Sequence, residues 1–271
     1  KKNILPSSDA TSLGLTAHIA VVVDKKEKDI PAELTRVPIV VKPKDSMPTD
    51  DIQNNIRENI KKIKNFSWVK NYKVTNDHAI IVSGGQVNFL EVKRIQKKYN
   101  AKVFCVKHSY PRLLKNDIKP FGCVVLDPRP LEGESTHGFI RKDLFKKIDP
   151  STLFFIASMT DLSVTDYILE RTDNVLGFHA FTDAVRDMSV TDRVKVNEEL
   201  GIEKGALLIS GGTCSATRTI GLLDTVGYKN VHLFGFDCSV SEKVAKKGED
   251  EVDGLGNPKY IHVETGGIKF W

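Results

Sequence analysis

The chain contains two stretches of the same form, Ile80-Ile81-Val82-Ser83-Gly84-Gly85 and Leu207-Leu208-Ile209-Ser210-Gly211-Gly212. In each, an apolar run is followed by Ser-Gly-Gly and then by a helix-like pattern. Such a run is typical of a buried parallel strand, and the glycines permit a sharp turn and a closely approaching ligand. The start of the following helix offers unpaired N–H groups to a phosphate. We predict two strand–turn–helix units that either bind phosphate groups or simply connect the sheet.

From residue 79 onwards, apolar runs alternate with helical patterns. Strands are predicted at Ala79–Val82, Val103–Val106, Cys123–Leu126, Leu153–Ile156, Val175–Phe178, Ala206–Ile209 and Val231–Phe236. Helices are predicted at Phe89–Tyr99, Lys142–Ile148, Val164–Arg171, Val190–Leu200 and Ala216–Val226. This alternation indicates an α/β fold, a doubly wound and mostly parallel Rossmann-like sheet with helices on both faces.

Residues 1–50 do not share this alternation. Apolar runs at 19–23 and 37–41 predict two strands, and prolines interrupt the segment. We predict an N-terminal extension, or the end of a preceding domain, over residues 1–50 and one nucleotide-binding α/β domain over residues 51–271. Because the first residue is Lys1 and not Met, we expect the natural protein to begin upstream.

The composition restricts the classes of partner. Forty basic and 35 acidic residues give a net charge of +5, which suits acidic ligands such as nucleotides but does not indicate nucleic acid; no nucleic-acid-binding motif is present. No apolar run reaches the roughly 20 residues of a membrane helix. The four cysteines form no C-x-x-C pair, which favours buried thiols in a reducing, cytoplasmic setting.

Ligands of such sheets bind beyond the carboxyl ends of the strands, where this sequence is polar. The candidate nucleotide- or phosphate-binding residues are Ser83, Gly84, Gly85, Asn88, His108, Asp127, Ser210, Gly211, Gly212, Thr213 and Ser215. Asp127 could bind a ribose hydroxyl or Mg²⁺, or cap a loop. Thr213 or Ser215 could equally cap the following helix. We expect the two glycine turns to lie side by side at one edge of the sheet.

Three residues are candidates for catalysis. His137 lies in a polar loop, Glu132–Gly138, that could form a lid, and Asp237 ends the last predicted strand of the sheet. His262 lies in a predicted hairpin, Tyr260–Trp271, and shares one face with Glu264; that face could equally be solvated. His78, just before a strand, is interpreted as structural. Neither a Walker A motif nor a G-x-G-x-x-G motif is present, and no His/Cys cluster indicates zinc.

Four segments resemble the 6-hydroxymethylpterin diphosphokinase MptE-like family, which includes the central domain of motility accessory factors. They are Lys107–Pro111, Val125–Pro130, Ala157–Asp161 and the run from Gly211 to Ser239. The resemblance implies a transferase that moves diphosphate from ATP to a pterin-like alcohol with Mg²⁺.

The same order of segments is more distantly similar to bacterial sialyltransferases. That similarity implies a nucleotide-sugar donor, a glycan acceptor and His262 as the base. The expected partners are therefore a nucleotide and a small-molecule or glycan acceptor. The alternatives to a diphosphokinase are a glycosyltransferase and a nucleotide-binding module without catalysis.

Overall fold

The structure is a computed structural model and describes residues 16–17, 39–40, 47–72, 74–132, 140, 142–181, 189–211, 214–236, 263–265 and 268–270. The chain divides into two compact units, Lys1–Asp45 with Thr182–Arg193, and Ser46–Phe181 with Val194–Trp271. In the first unit β1 (Thr16–Ala17) pairs antiparallel with β2 (Ile39–Val40). The predicted strand at 37–41 contains β2, whereas the one at 19–23 lies outside the described residues. The domain boundary at residue 50 stays a prediction.

The second unit contains a parallel sheet of seven strands. The strands are β3 (His78–Val82), β4 (Lys102–Val106), β5 (Gly122–Val125), β6 (Leu153–Ala157), β7 (Val175–Ala180), β8 (Leu208–Ile209) and β9 (Asn230–Phe234). Their order is β8-β7-β6-β5-β4-β3-β9, and every neighbouring pair is parallel. Six strands follow one another across the sheet, and β9 then returns to the free side of β3. The predicted α/β fold class is confirmed.

Among the described residues, two helices precede β3 and the others lie between the strands of the sheet. The helices are α1 (Thr49–Lys62), α2 (Trp68–Asn71), α3 (Phe89–Tyr99), α4 (Tyr110–Lys115), α5 (Leu162–Leu169), α6 (Val190–Glu199) and α7 (Ser215–Thr225). Sequence patterning missed α2 and α4, because four and six residues are too few to show a helical period. The predicted helix at 142–148 is a 3₁₀ turn, Lys142–Phe145.

Two apolar cores lie on the two faces of the sheet. Since side chains alternate along a strand, Ile80 and Val82 belong to the core under α3, α4 and α5. Ala79 and Ile81 belong to the opposite core, which α2 and α7 cover. Both faces are therefore buried, and this explains why the strands read as continuous apolar runs rather than as alternating ones.

Helix α1 fixes the loop that follows β6. Its apolar stripe packs with Leu200 and Ile202 through Ile52 and Ile56. On the same helix, the fully buried Asn59 donates from Nδ2 to the carbonyl oxygens of Ser158 at 2.8 Å and Thr160 at 2.6 Å. The carboxyl end of β6 is thus held in place by a side chain about 100 residues earlier in the chain.

At the end of the chain, β10 (Val263–Thr265) pairs antiparallel with β11 (Ile268–Phe270). This agrees with the predicted hairpin, although Gly266 and Gly267 between the strands lie outside the described residues. Within the described ranges, no helix combines the length and the apolar character needed to cross a membrane.

We predict that Gly221→Ala in α7 destabilises the protein. A Cβ at Gly221 would lie 2.2 Å from the backbone oxygen of Ser210, so the helix would have to shift from the end of β8. The overpacking cost of about 2 kcal/mol exceeds the roughly 1 kcal/mol that alanine gains over glycine inside a helix. The measurement is the free energy of unfolding in urea, followed by circular dichroism.

Gly84→Ala is the matched control, because a Cβ at Gly84 meets no atom within 4 Å. It should change stability by less than about 0.5 kcal/mol. Equal stability of the two variants would contradict the close packing of α7 on the turn after β8.

Candidate functional site

The first glycine turn follows β3 and is paired with the end of β9. The N–H of Ser83 donates to the carbonyl oxygen of Phe234 at 2.8 Å, and the N–H of Gly85 donates to that of Gly235 at 2.9 Å. Gly235 has a φ of +70°, and a Cβ there would lie 3.0 Å from the oxygen of Ser83. Only glycine easily adopts a positive φ and also leaves room for the Ser83 oxygen. The pairing of the turn with β9 therefore depends on glycine at position 235.

Helix α4 holds the same turn from the other side. The Nη1 of Arg112 donates to the carbonyl oxygens of Gly84 at 2.9 Å and Gly85 at 2.8 Å, and the Ser109 hydroxyl donates to the oxygen of Ser83. The N–H groups of Gly84 and Gln86 have no acceptor in the described part of the chain, and both residues are exposed. The turn is therefore held from two sides, and two of its N–H groups belong to exposed residues and are available to an anion.

Asn88 has a different role in the structure. Its Oδ1 accepts a hydrogen bond from the N–H of Glu91 at 3.2 Å and caps α3. An asparagine at this position satisfies one of the unpaired N–H groups at the helix start. The contact of Asn88 with a phosphate stays a prediction, and its side-chain oxygen is already used by the helix.

A buried charge cluster lies beside the turn, at the carboxyl ends of β4 and β5. Asp127 contacts the Lys107 ammonium directly and accepts three hydrogen bonds from Arg129, from Nε at 2.8 Å, from Nη2 at 2.6 Å and from the backbone N–H at 3.1 Å. The side chains of Lys107 and Asp127 are 7% and 8% exposed. The cluster carries two positive charges and one negative charge, so it has a net attraction for an anion.

Burial, and then the positive charge of Arg129, lower the pKa of Lys107 to about 7. The Asp127 carboxylate in contact with Lys107 acts in the opposite direction, because an opposite charge favours the ionised form. We infer that Lys107 stays charged while Asp127 is its partner. A bound anion would place a second negative charge near Lys107 and would also favour the charged form of its ammonium.

Asp127 was also a candidate Mg²⁺ ligand. Both of its carboxylate oxygens are engaged by cations. The described residues contain no group of three or more His, Cys, Asp or Glu side chains that could hold a metal ion. The residues around Asp127 therefore do not fit a resident Mg²⁺, and the group suits an anion better than a cation.

The second glycine turn lies at the same end of the sheet but far from the first. Because β8 and β3 are five positions apart and neighbouring strands are about 4.8 Å apart, the turns are separated by about 24 Å along the sheet. The prediction that they lie side by side is wrong. A shared strand–turn–helix form indicates which end of a sheet a turn occupies, but not its position across the sheet.

This second turn packs closely on α7. Gly211 has a φ of +127°, and a Cβ there would lie 2.6 Å from the oxygen of Thr217. Arg218 is buried and donates to the oxygen of Ile209 at 2.6 Å. Cys214, rather than Ser215, caps α7, and Ser215 is the first residue of the helix. Ser210 is exposed, and its ligand-binding role stays a prediction.

His108 lies in the turn after β4 and is exposed. The remaining candidates lie outside the described residues: His137, Gly212, Thr213, Asp237 and His262. Sequence reasoning missed the roles of Lys107, Arg112 and Arg129. Lys107 directly follows a strand and Arg129 is two residues beyond Asp127, so their positions after strands could have indicated both. Arg112 gave no such signal, because it lies on a helix that the sequence pattern did not predict.

Comparison with known proteins gives the family. The model of the 6-hydroxymethylpterin diphosphokinase MptE-like family matches residues 52–243. This chain belongs to the MptE-like family. The resemblance drawn from the four sequence segments is confirmed, and membership supports a transferase-type role at the level of the family. No curated protein sequence matches the chain.

A MAf glycosyltransferase from Magnetospirillum magneticum AMB-1 is similar in structure to this MptE-like chain. The two share 13% sequence identity with a TM-score of 0.40, over 72% of this chain and 28% of the glycosyltransferase. The chain thus spans less than a third of the length of that protein.

We predict that Asp127→Asn destabilises this MptE-like chain. The substitution leaves the buried Lys107 and the partly exposed Arg129 without their counter-charge, and breaking a buried ion pair from one side costs about 3 kcal/mol. The free energy of unfolding at neutral pH measures this. The double variant Lys107→Met/Asp127→Asn should recover part of the loss, because it removes the most buried cation as well. An unchanged stability of Asp127→Asn would show that the cluster does not support the fold.

We predict that stability falls in acid because of His179. Burial lowers the pKa of His179 to about 4, and Glu203 opposes that shift. Because the unfolded imidazole has a pKa near 6.5, the unfolded state binds more protons between about pH 6.5 and 4. Stability is therefore full above the unfolded value and decreases by up to about 3 kcal/mol as pH falls through this window. His179→Gln should flatten this part of the stability profile, and an unaltered profile would exclude His179 as its source.

Proposed function

We propose that this chain is a nucleotide-dependent transferase that binds the phosphates of its donor at the carboxyl ends of β3, β4 and β5. The observation that carries the proposal is the placement there of two cations on one carboxylate and of a third cation on the neighbouring glycine turn. Lys107 and Arg129 pair with Asp127, and Arg112 holds the neighbouring glycine turn. Of these cations, Arg112 and Arg129 are partly exposed, so a ligand can reach them.

The arrangement suits a phosphate chain better than a single carboxylate. The donors that we propose for such a chain are the N–H groups of the exposed Gly84 and Gln86 and the partly exposed guanidinium of Arg129. A guanidinium binds phosphate oxygens in a bidentate manner. In phosphoryl transfer the protein acts mainly by positioning the reactants and neutralising charge, and these residues supply both.

The finer proposal is diphosphate transfer from ATP to a pterin-like alcohol. The acceptor hydroxyl oxygen forms a bond to the β-phosphorus, the bond from that phosphorus to the α,β-bridging oxygen breaks, and AMP leaves with the electron pair. The hydroxyl proton passes to a base, for which Asp237, His137 and His262 remain the candidates. Lys107, Arg112 and Arg129 would stabilise the negative charge that develops on the leaving AMP.

The first test is a thermal-shift series with ATP, ADP, CMP and a CMP-sugar, each with and without Mg²⁺. A ligand at 100 times its dissociation constant should stabilise the chain by about 2.7 kcal/mol. We expect ATP to give the largest shift. Arg129→Gln should weaken ATP binding about tenfold or more, because it removes a charged bidentate donor. Isothermal titration calorimetry measures this affinity.

Arg94→Gln is the matched control. Arg94 forms the same bidentate pair with a carboxylate, donating to Glu91 from Nε and Nη2 at 2.6 Å each, but it lies on the exposed face of α3. Its loss should leave ATP affinity unchanged. Equal weakening by both variants, or no shift with any nucleotide, would contradict the proposed site.

Turnover separates the three classes of function. A diphosphokinase converts ATP to AMP when a pterin alcohol is added, and chromatography detects both products. Release of CMP from a CMP-sugar without metal would favour a glycosyltransferase instead. Binding of a nucleotide with neither reaction would leave a binding module and exclude the transferase.

A further inference from the structure

A cluster of three stacked rings lies away from the charged site, on the edge of the sheet formed by β9. His78 begins β3, and His232 lies on β9 opposite Ile80, so both side chains are on the same face. His78 Nδ1 is 3.2 Å from His232 Nε2. The Tyr99 ring, from the end of α3, stacks on both imidazoles, with centroid distances of 4.6 Å and 5.1 Å.

The contact between the two imidazoles depends on how many protons they carry. A neutral imidazole has one N–H donor and one acceptor nitrogen, whereas an imidazolium has two donors and no acceptor. The bond between His78 Nδ1 and His232 Nε2 therefore forms when one of the facing nitrogens is protonated and the other is not. When both rings are charged, two N–H groups face each other at 3.2 Å and the rings must separate.

The surrounding charges affect the two imidazoles differently, so the first positive charge on the pair is better stabilised than the second. Asp77 Oδ1 lies 3.9 Å from His78 Nε2, so a charge on His78 has a counter-ion. From α3, the ammonium of Lys98 lies 4.7 Å from the Tyr99 centroid, while Arg94 is neutralised by its pair with Glu91. Burial, and then the charges of His78 and Lys98, lower the pKa of His232. The second proton therefore binds in acid and opposes the contact.

The strand that carries His232 also holds the first glycine turn. Two and three residues beyond His232, the carbonyl oxygens of Phe234 and Gly235 accept from the N–H groups of Ser83 and Gly85. At its other end, Asp77 accepts from the N–H groups of Lys229 and Asn230 and from the Asn230 side chain at 2.8 Å. Strand β9 has one partner, β3, in the described sheet, so a repulsion between His78 and His232 acts directly on its docking.

We propose that His78 and His232 form a proton-controlled clamp, in which double protonation in acid loosens β9 from β3 and releases the first glycine turn. When a single N–H lies between His78 Nδ1 and His232 Nε2 the clamp is closed, and the turn stays paired with β9. With both rings charged the clamp is open, and the two hydrogen bonds from the turn to β9 break together. The clamp links the shape of the turn to pH whether or not the turn binds a nucleotide.

The test is site-resolved amide hydrogen exchange on the whole chain at about pH 7.5 and about pH 5. Protection factors, corrected for the intrinsic effect of pH, are compared for Ser83 and Gly85 and for the reference amides of Phe121 and Leu153. These references donate to Val103 and Phe121 in the middle of the sheet. We expect Ser83 and Gly85 to lose about tenfold or more protection in acid relative to the references.

Two variants test the cause. His232→Phe keeps the stack on Tyr99 but cannot charge, and His78→Gln keeps a hydrogen-bonding partner for His232 but cannot charge. In either variant the ratio of protection between the turn and the references should change by less than about twofold between the two pH values. If His232→Phe fails to fold, His78→Gln provides the same test.

Two results would overturn the clamp. One is an equal acid-induced loss of protection in wild type and in the folded variants. The other is a loss in wild type that affects Phe121 and Leu153 as much as Ser83 and Gly85, which would indicate global unfolding. Neither readout uses a nucleotide, so a failure of the proposed transferase function leaves this test unaffected.

Discussion

Parallel pairing of seven strands is the constraint on which the rest of this structure depends. Every strand ends at the same end of the sheet, so the residues that follow β3, β4, β5 and β9 come together although they lie far apart in sequence. Both faces of the sheet are covered by helices, and polar groups are therefore concentrated at the strand ends. The candidate site is a consequence of this topology more than of any single motif.

The charge cluster is stable at the carboxyl ends of β4 and β5 because Asp127 pairs with both cations. Removing Lys107 and Asp127 from water is costly, and direct contact together with the bidentate Arg129 offsets that cost. Partial exposure of Arg129 leaves the excess positive charge where solvent and ligand can reach it. The same three residues can therefore support the fold and prepare the site for an anion.

The two glycine turns look alike in sequence and differ in what their glycines do. At the first turn Gly84 is open to solvent, and close packing falls instead on Gly235, beneath the turn. At the second, Gly211 and Gly221 bring β8 and α7 into backbone contact. Close packing at glycine thus allows β9 to dock at the first turn and α7 to approach the backbone at the second turn.

The sequence by itself determined the α/β class, the positions of the strands and the polar character of their ends. Continuous apolar runs and glycine punctuation are local signals, and the family resemblance lay in the segments that follow the strands. Strand order was decided only by the tertiary structure, since nothing in either Ser-Gly-Gly turn shows that β9 returns beside β3 and leaves β8 at the far edge. The contacts of Asp127 with Lys107 and of Arg112 with the first glycine turn were hidden for the same reason. Contacts between the ends of different strands depend on which strands are neighbours, and that is a property of the folded chain.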